Sequence, residues 1–447
     1  MGSNGPRRPI NYIQMLGDVL LANLAIILSF WVRFHGQIPK SNFQSYINII
    51  PIVSILTLLI FNFYGLYNTK RKPWSDIFAS ITASTAILVP LTIAATYMVQ
   101  GFSFPRSVFF LSGVAQLVIL ILWRRSLFNW EHKNAVSKSA VVVAPANEIE
   151  GLAGKVMLSG YNIIALVSSC PRQDADANVF PYDDIEILCN KYRPNAIFMS
   201  SQVPAEMKDL VAKVILESGI SFFIIPSLYE IMLLGSRLDQ IGDTPMLEML
   251  STPEAGKEQI KRFMDVILST VGLVIAAPIM LLTAIAVKLD SQGPVFYRQE
   301  RVSRGGKRFM VLKFRTMTND AEKLTGPVLA ETDDPRITKV GSILRATRID
   351  ELPQLFNVLK GDMSIVGPRP ERPFFVEQFE QEIPEYSTRH TVKAGITGLA
   401  QVAGKYSTSP EDKLKYDLLY AKSASPLIDL GIMLQTIKVV LMRDKAS

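Results

Sequence analysis

The chain has little of the two side chains that most often hold metals or attack substrates. Its 447 residues include two cysteines, Cys170 and Cys189, and three histidines, His35, His132 and His390. Two cysteines make neither a disulfide framework nor a thiolate metal site. The histidines lie far apart in sequence, which argues against an imidazole-ligated metal. Any metal is therefore expected to be a hard cation on carboxylates. Internal repeats and low-complexity tracts are missing, and no cleavable leader precedes the first apolar run.

Apolar side chains are abundant. Hydrophobic residues make up 49% of the chain and the mean hydropathy is +0.23, too high for an ordinary soluble enzyme. The length suggests about three units. The net charge of +7 suits an anionic partner, either a membrane face or a phosphorylated substrate.

Four apolar runs, at about 10–32, 46–64, 77–99 and 107–123, fill the first third. Each approaches the ~20 residues needed to span a bilayer. Gly17, Asp18 and Asn23 make the first run the least apolar. Arg7 and Arg8, then Lys70, Arg71 and Lys72, then Arg124, Arg125 and Lys133 flank the runs on one side. By the positive-inside rule both ends of this bundle, residues 1–135, face the cytoplasm. Residues 136–252 alternate strand-like and helix-like segments, as in a small doubly wound parallel sheet. The first turn reads Ala144-Pro145-Ala146-Asn147, where a dinucleotide site needs G-x-G-x-x-G. The unit thus reads as Rossmann-like without nucleotide binding.

A fifth run, 263–287, opens the last unit, 253–447. Lys257, Lys261 and Arg262 precede it, and Lys288, Arg298, Arg301 and Arg304 follow it, so both flanks favour the cytoplasm. Pro278 removes a backbone hydrogen bond past its middle. The run reads as a re-entrant helical hairpin, with a fifth span as the alternative. The basic segment after it fits a lipid-headgroup face better than nucleic acid. It also fits a phosphate cradle, with Lys313 and Arg315 on one side of a strand. Near the C-terminus, 426–441 has the spacing of an amphipathic helix on the membrane surface.

The chemistry concentrates in Arg345-Ala346-Thr347-Arg348-Ile349-Asp350-Glu351-Leu352-Pro353-Gln354. Adjacent carboxylates one turn after two arginines diverge on a helix, so they serve as unlike groups. One can attack phosphorus while the other holds a metal or a proton. Taken alone, the stretch also fits a capped, salt-bridged helix start. Downstream, Gly367-Pro368-Arg369-Pro370-Glu371 presents an arginine suited to phosphate, and Gly395-Ile396-Thr397-Gly398 forms a second glycine-bearing loop.

Lys261-Arg262, Asp265, Pro278, Gly293-Pro294-Val295-Phe296, Lys313-Phe314-Arg315, Asp350-Glu351-Leu352-Pro353-Gln354 and the two glycine loops occur in the order found in a known family. From about Glu258 onward the chain resembles the bacterial monotopic phosphoglycosyl transferases, or sugar transferases. With its spans and middle unit it is similar to the long form, typified by undecaprenyl-phosphate glucose or galactose phosphotransferases. The resemblance implies that Asp350 attacks the β-phosphorus of a UDP-hexose, expels UMP and carries the sugar-phosphate to undecaprenyl phosphate. It implies Glu351 as partner carboxylate and Mg²⁺ at Asp350. Lys313, Arg315, Arg345, Arg348, Arg369, Lys405 and Asp429 become substrate-site candidates, and Pro278 the kink. Two departures concern Ala277, where several relatives have serine, and Lys405 with Ala394, where relatives often have arginine and proline.

The implied setting is the bacterial inner membrane, with the catalytic part facing the cytoplasm at the start of polysaccharide assembly. Membrane lipid is a further partner, nucleic acid is not, and a homodimer is allowed rather than required. Two other classes compete. A membrane-bound nucleotide-sugar dehydratase or epimerase needs the glycine loop and a Tyr-x-x-x-Lys pair, and no tyrosine here has lysine four residues on. A non-catalytic assembly scaffold has no reason to keep Lys313, Arg369 and the two carboxylates.

Overall fold

Long aliphatic runs satisfy their backbone polar groups internally only as helices. The computed structural model describes residues 9–67, 72–100, 105–133, 138–174, 177–249, 255–318, 334, 336–404 and 408–441. Its first third is α1 (Pro9–Arg33), α2 (Lys40–Phe63), α3 (Trp74–Gln100) and α4 (Arg106–Lys133). These four helices, and one later one, are long and apolar enough to cross a membrane. Ile26 and Phe30 of α1, Tyr46, Ile49 and Val53 of α2 and Val108 of α4 share one buried cluster.

Asp18, the charge that interrupts the first run, is fully buried against Arg124 of α4. The guanidinium donates to both carboxylate oxygens and, at 2.8 Å, to the Leu66 carbonyl. Arg124 is therefore an internal partner rather than a free member of the cationic flank.

By packing, the chain forms two compact units, Leu127–Leu250 and the union of Met1–Ser126 with Ser251–Ser447. The helices and the C-terminal part, separate in the sequence reading, belong to one unit. The other unit contains β1 (Lys138–Val143), α5 (Ile149–Leu158), β2 (Tyr161–Val167), β3 (Arg172–Asp174), β4 (Ala177–Phe180), α6 (Ile185–Tyr192), β5 (Ala196–Ser200), α7 (Ala205–Ser218) and β6 (Ser221–Ile225). Its sheet runs β3-β4-β2-β1-β5-β6, and all neighbouring pairs are parallel except β3 with β4. Val141 and Val143 are buried on one face of β1, Ala140 and Val142 on the other, so the central strand is apolar throughout. Beyond the first strand, the Ser200 hydroxyl donates to the Glu148 carboxylate at 2.5 Å. A short helix α8 (Leu228–Leu233) and a hairpin of β7 (Arg237–Ile241) and β8 (Thr244–Glu248) complete this unit.

The C-terminal part opens with α9 (Ala255–Asp290), a 36-residue helix that continues through Pro278. The sequence reading breaks the helix at that proline. One missing N–H interrupts a single bond, and packed neighbours allow an apolar helix to continue past it. Then follow β9 (Phe296–Val302) paired antiparallel to β10 (Arg308–Phe314), α10 (Lys339–Thr347), α11 (Gln354–Lys360), β11 (Ser364–Val366), α12 (Pro373–Glu382), β12 (Gly395–Thr397), α13 (Leu399–Ala403), α14 (Pro410–Ser423) and α15 (Pro426–Leu441).

Both ends of α9 are tied to this same part. At its start Arg262 donates to the Val358 and Leu359 carbonyls at 2.6 and 2.7 Å, and buried Asp265 accepts from Ser364 Oγ and Ile365 N at 3.0 Å. At its end Val287 packs with Phe314 and Leu344. The two glycine loops meet each other across the parallel β11–β12 pair. A Cβ on Gly367 would lie 2.2 Å from the Lys393 carbonyl oxygen, and one on Gly395 2.1 Å from the Gly367 nitrogen. Backbone approach is what these glycines permit.

Helix α15 joins the C-terminal part to the bundle. Lys438 pairs with Asp76 of α3 at 2.8 Å, Tyr64 donates to the Leu434 carbonyl at 2.8 Å, and Gln435 donates to the Phe63 carbonyl at 2.6 Å. Its exposed side carries Leu427, Leu430, Ile437 and Val440.

Removing one partner of a buried ion pair typically costs about 3–5 kcal/mol, because the remaining charge stays buried. Arg124→Leu should therefore lower the melting temperature in detergent sharply, and Asp18→Leu added to it should recover most of the loss. Equal melting of Arg124→Leu and the parent protein would show that the pair contributes nothing.

Candidate active site

The site forms where three segments converge. Helix α10 ends at Arg348, whose φ of 56° is left-handed, a region that non-glycine residues seldom enter. That residue turns the chain into a single 3₁₀ turn, Ile349–Glu351. Side chains advance by about 120° per residue there, so Asp350 and Glu351 diverge. Glu351 is 9% exposed. Its Oε1 accepts from Lys313 Nζ at the end of β10 and from Arg369 Nη2 beyond β11, both at 2.9 Å. These cations come from other segments, which a helix start stabilised by its own local charges would not require.

Charge divides the two carboxyls into unlike groups. Burial would raise Glu351, but Arg369 and Lys313 outweigh it and hold Glu351 well below the usual carboxylate range. Burial also raises Asp350, the Glu351 charge raises it further, and it stands at about 6 despite Lys313, Arg369 and Arg345. One carboxylate is thus fixed and ionised while its neighbour is poised near neutrality. Burial pulls the Lys313 ammonium below its ordinary value, partly offset by Glu351. Among the described residues, Arg345 Nη1 is buried without a hydrogen-bond partner, as suits a donor aimed at an anionic ligand.

The structure thus brings together Asp350, Glu351, Lys313, Arg345, Arg348 and Arg369. Arg315 is elsewhere. It lies one residue beyond β10, is 5% exposed, and donates to the Ser291 carbonyl at 2.7 Å and the Gln292 carbonyl at 3.1 Å. The unpaired carbonyls at the end of α9 take up this guanidinium, so it is not a partner of Lys313 in a phosphate cradle. Asp429 accepts from Lys261 and from the Tyr420 hydroxyl, each at 2.7 Å, and so fastens α15 to the start of α9. Lys405 lies outside the described residues.

Sequence reasoning missed the residues that hold Arg369. Arg389 pairs with Asp417 at 2.7 Å, both nearly fully buried, and donates to the Arg369 carbonyl at 3.1 Å. Burial pushes the Asp417 carboxyl up to about 6 despite Arg389. Arg301 donates to the Pro370 carbonyl at 2.9 Å. Buried Arg389 and partly buried Arg301 thus fix the backbone that carries Arg369. No spacing in the sequence signals this, because the contact is between a guanidinium and a distant peptide carbonyl.

Among the described residues no group of three or more histidine, cysteine, aspartate or glutamate side chains is gathered for a metal. Two adjacent carboxylates suit Mg²⁺, which usually takes one or two from protein and the rest from phosphates and water.

A carboxyl whose folded pKa exceeds its unfolded value of about 3.9 is destabilising once ionised. In chelator-treated protein Asp350→Asn should melt a few degrees higher than the parent at pH 7.5. The gain should shrink as pH falls through 6 and vanish below about 4. A variant that melts lower at pH 7.5 would contradict the burial argument.

Residues 256–443 match the family described as bacterial sugar transferase. Over 208 residues the chain is 42% identical to an Aeromonas hydrophila UDP-N-acetylgalactosamine-undecaprenyl-phosphate N-acetylgalactosaminephosphotransferase, covering 46% of this chain but only 48% of that protein. Over 463 residues it is 29% identical to a Klebsiella pneumoniae UDP-glucose:undecaprenyl-phosphate glucose-1-phosphate transferase, covering 97% and 96%. A Caulobacter vibrioides protein of the same name is 41% identical over 201 residues, 43% of this chain and 74% of the relative.

Proposed function

The chain belongs to the bacterial sugar transferase family, and from that premise we propose that it moves a hexose-1-phosphate from a UDP-hexose to undecaprenyl phosphate. The observation that carries this reading is the unlike carboxylate pair, with Glu351 bound by Lys313 and Arg369 beside a poised Asp350. The relatives' names include both glucose and N-acetylgalactosamine, so the donor is proposed as a UDP-hexose class.

The reaction is two displacements at one phosphorus. An Asp350 oxygen bonds to the β-phosphorus, the bond from that phosphorus to the bridging oxygen breaks, and UMP leaves with the electron pair. A phosphate oxygen of undecaprenyl phosphate then attacks the same phosphorus, and the Asp350 carboxylate is released. Phosphoryl transfer asks mainly for positioning and charge neutralisation. Lys313 and Arg369 hold Glu351 ionised and add positive charge beside the phosphates, and Arg345 and Arg348 add two more cations. Asp350 would hold Mg²⁺, which would supply further neutralisation of the diphosphate.

The membrane geometry supports the same reading. A straight helix would place residues 262 and 287 about 38 Å apart. Their anchors sit on α11 and β10, and β10 spans only about 23 Å. A polar part bonded to both ends cannot lie on both sides of a bilayer. We therefore read α9 as entering and leaving by one face, with Pro278 within it, and that face as cytoplasmic, where nucleotide sugars are found.

With UDP-hexose and no lipid acceptor, intact-mass measurement should show a hexose-phosphate adduct on the parent protein and none on Asp350→Asn. Full turnover by that variant would refute the mechanism. Excess EDTA should stop UMP release from the parent and Mg²⁺ should restore it. Undiminished release in EDTA would remove the metal from the reading.

A further inference from the structure

Beside the carboxylates lies a second feature that phosphoryl transfer from a nucleotide does not require. A cavity of about 170 Å³ opens at Arg348 and Glu351. Its walls are Leu352, Leu355, Ile396, Val402, Val439 and Val440. One end is therefore ionic, and the rest is mostly branched hydrocarbon, interrupted by Thr397, Gln401 and Thr436. Leu355 also packs against Gly272, near the middle of α9, with its side chain 3.4 Å from where a Cβ on that glycine would lie. The cavity thus lies between the reacting carboxylates and the apolar helix. On the far wall, Val440 is 38% exposed and Ile437 42%, so the apolar surface continues outward along α15.

We propose that this groove seats the phosphate-proximal isoprene units of the lipid acceptor, with Arg348 facing its phosphate. The proposal rests on the transfer reading above and assigns one substrate of that reaction a place. Complementarity supports it: a monophosphate on a branched chain carries one anionic end and then only hydrocarbon. A nucleotide sugar fits less well, since most of its hydroxyls would lose water against aliphatic walls, with polar partners only at Thr397, Gln401 and Thr436. The volume holds only the first carbons beyond the phosphate, leaving the rest of the chain to the membrane.

The groove also depends on the N-terminal helices. Its α15 wall is joined to β12 by the Thr397–Thr436 hydroxyl bond at 2.7 Å. The same helix is held to the bundle by Lys438 and Asp76 at 2.8 Å. The α15 wall of the groove is thus bonded to both β12 and the bundle.

The test uses the full chain in nanodiscs and separates the two displacements. Val440→Trp narrows the mouth of the groove from a half-exposed position, and Val440→Ala serves as the small-side-chain control. With UDP-hexose alone, adduct formation and UMP burst should stay within twofold of the parent in both variants. With undecaprenyl phosphate added, the KM for the lipid should rise tenfold or more in Val440→Trp and change little in Val440→Ala. An unchanged KM in Val440→Trp overturns the groove, and so does an equal loss in both displacements. A parent protein that forms no adduct and releases no UMP fails the transfer reading at its first step and takes the groove with it.

Discussion

The bond on which the site depends is the one between Glu351 and two cations from distant segments. A carboxylate at this burial is tolerated only when it is paired and hydrogen-bonded. Lys313 and Arg369 satisfy that need on a single oxygen, and in doing so bring β10, the 3₁₀ turn and the loop after β11 to one point. Asp350 then sits beside a fixed negative charge in a poorly solvated place. Its poised state follows first from its burial and then from the charge of its paired neighbour. Arg389, Asp417 and Arg301 extend the same logic outward, because they immobilise the peptide groups from which Arg369 projects.

A second constraint acts through helices. The C-terminal part holds α9 at both ends, and α15 lies between that part and the N-terminal bundle. Asp429 to Lys261 joins α15 to α9, while Lys438 to Asp76 joins it to α3. Both pairs are partly or wholly shielded from solvent, so they locate α15 more firmly than exposed pairs could. One short helix therefore faces the bundle with its polar contacts and leaves an apolar edge exposed.

The unequal legibility of the sequence has physical causes. Hydrophobic run length marks helices wherever they occur, so all five apolar helices could be read directly. The parallel sheet was legible because its central strand is apolar on both faces, whereas β3, β4 and the β7–β8 hairpin are short or exposed and carry no such pattern. At the site, the carboxylates and their arginines were visible because they are adjacent in sequence. Lys313 and Arg369 were found as motif members. Arg315 misled because strand alternation places it with Lys313, while the strand ends at Phe314 and the next side chain turns to the end of α9. The first glycine loop read as a rigid turn presenting Arg369 and the second only as a glycine-bearing loop, yet Gly367 and Gly395 are needed for each other. Arg389 and Asp417 left no trace because burial and distant backbone contacts cannot be seen in a linear pattern.

The double anchoring of α9 has a consequence for inheritance. A catalytic part that carries its own apolar helix, bonded at both ends, brings its membrane address wherever its gene segment goes. Segments ahead of it can then be gained, lost or exchanged in a lineage without moving the chemistry away from the lipid surface. What such exchange would disturb is α15, whose Lys438 needs an acidic partner on whatever replaces α3. The bonds of α15 to Tyr64 and to the Phe63 carbonyl would have to be remade as well.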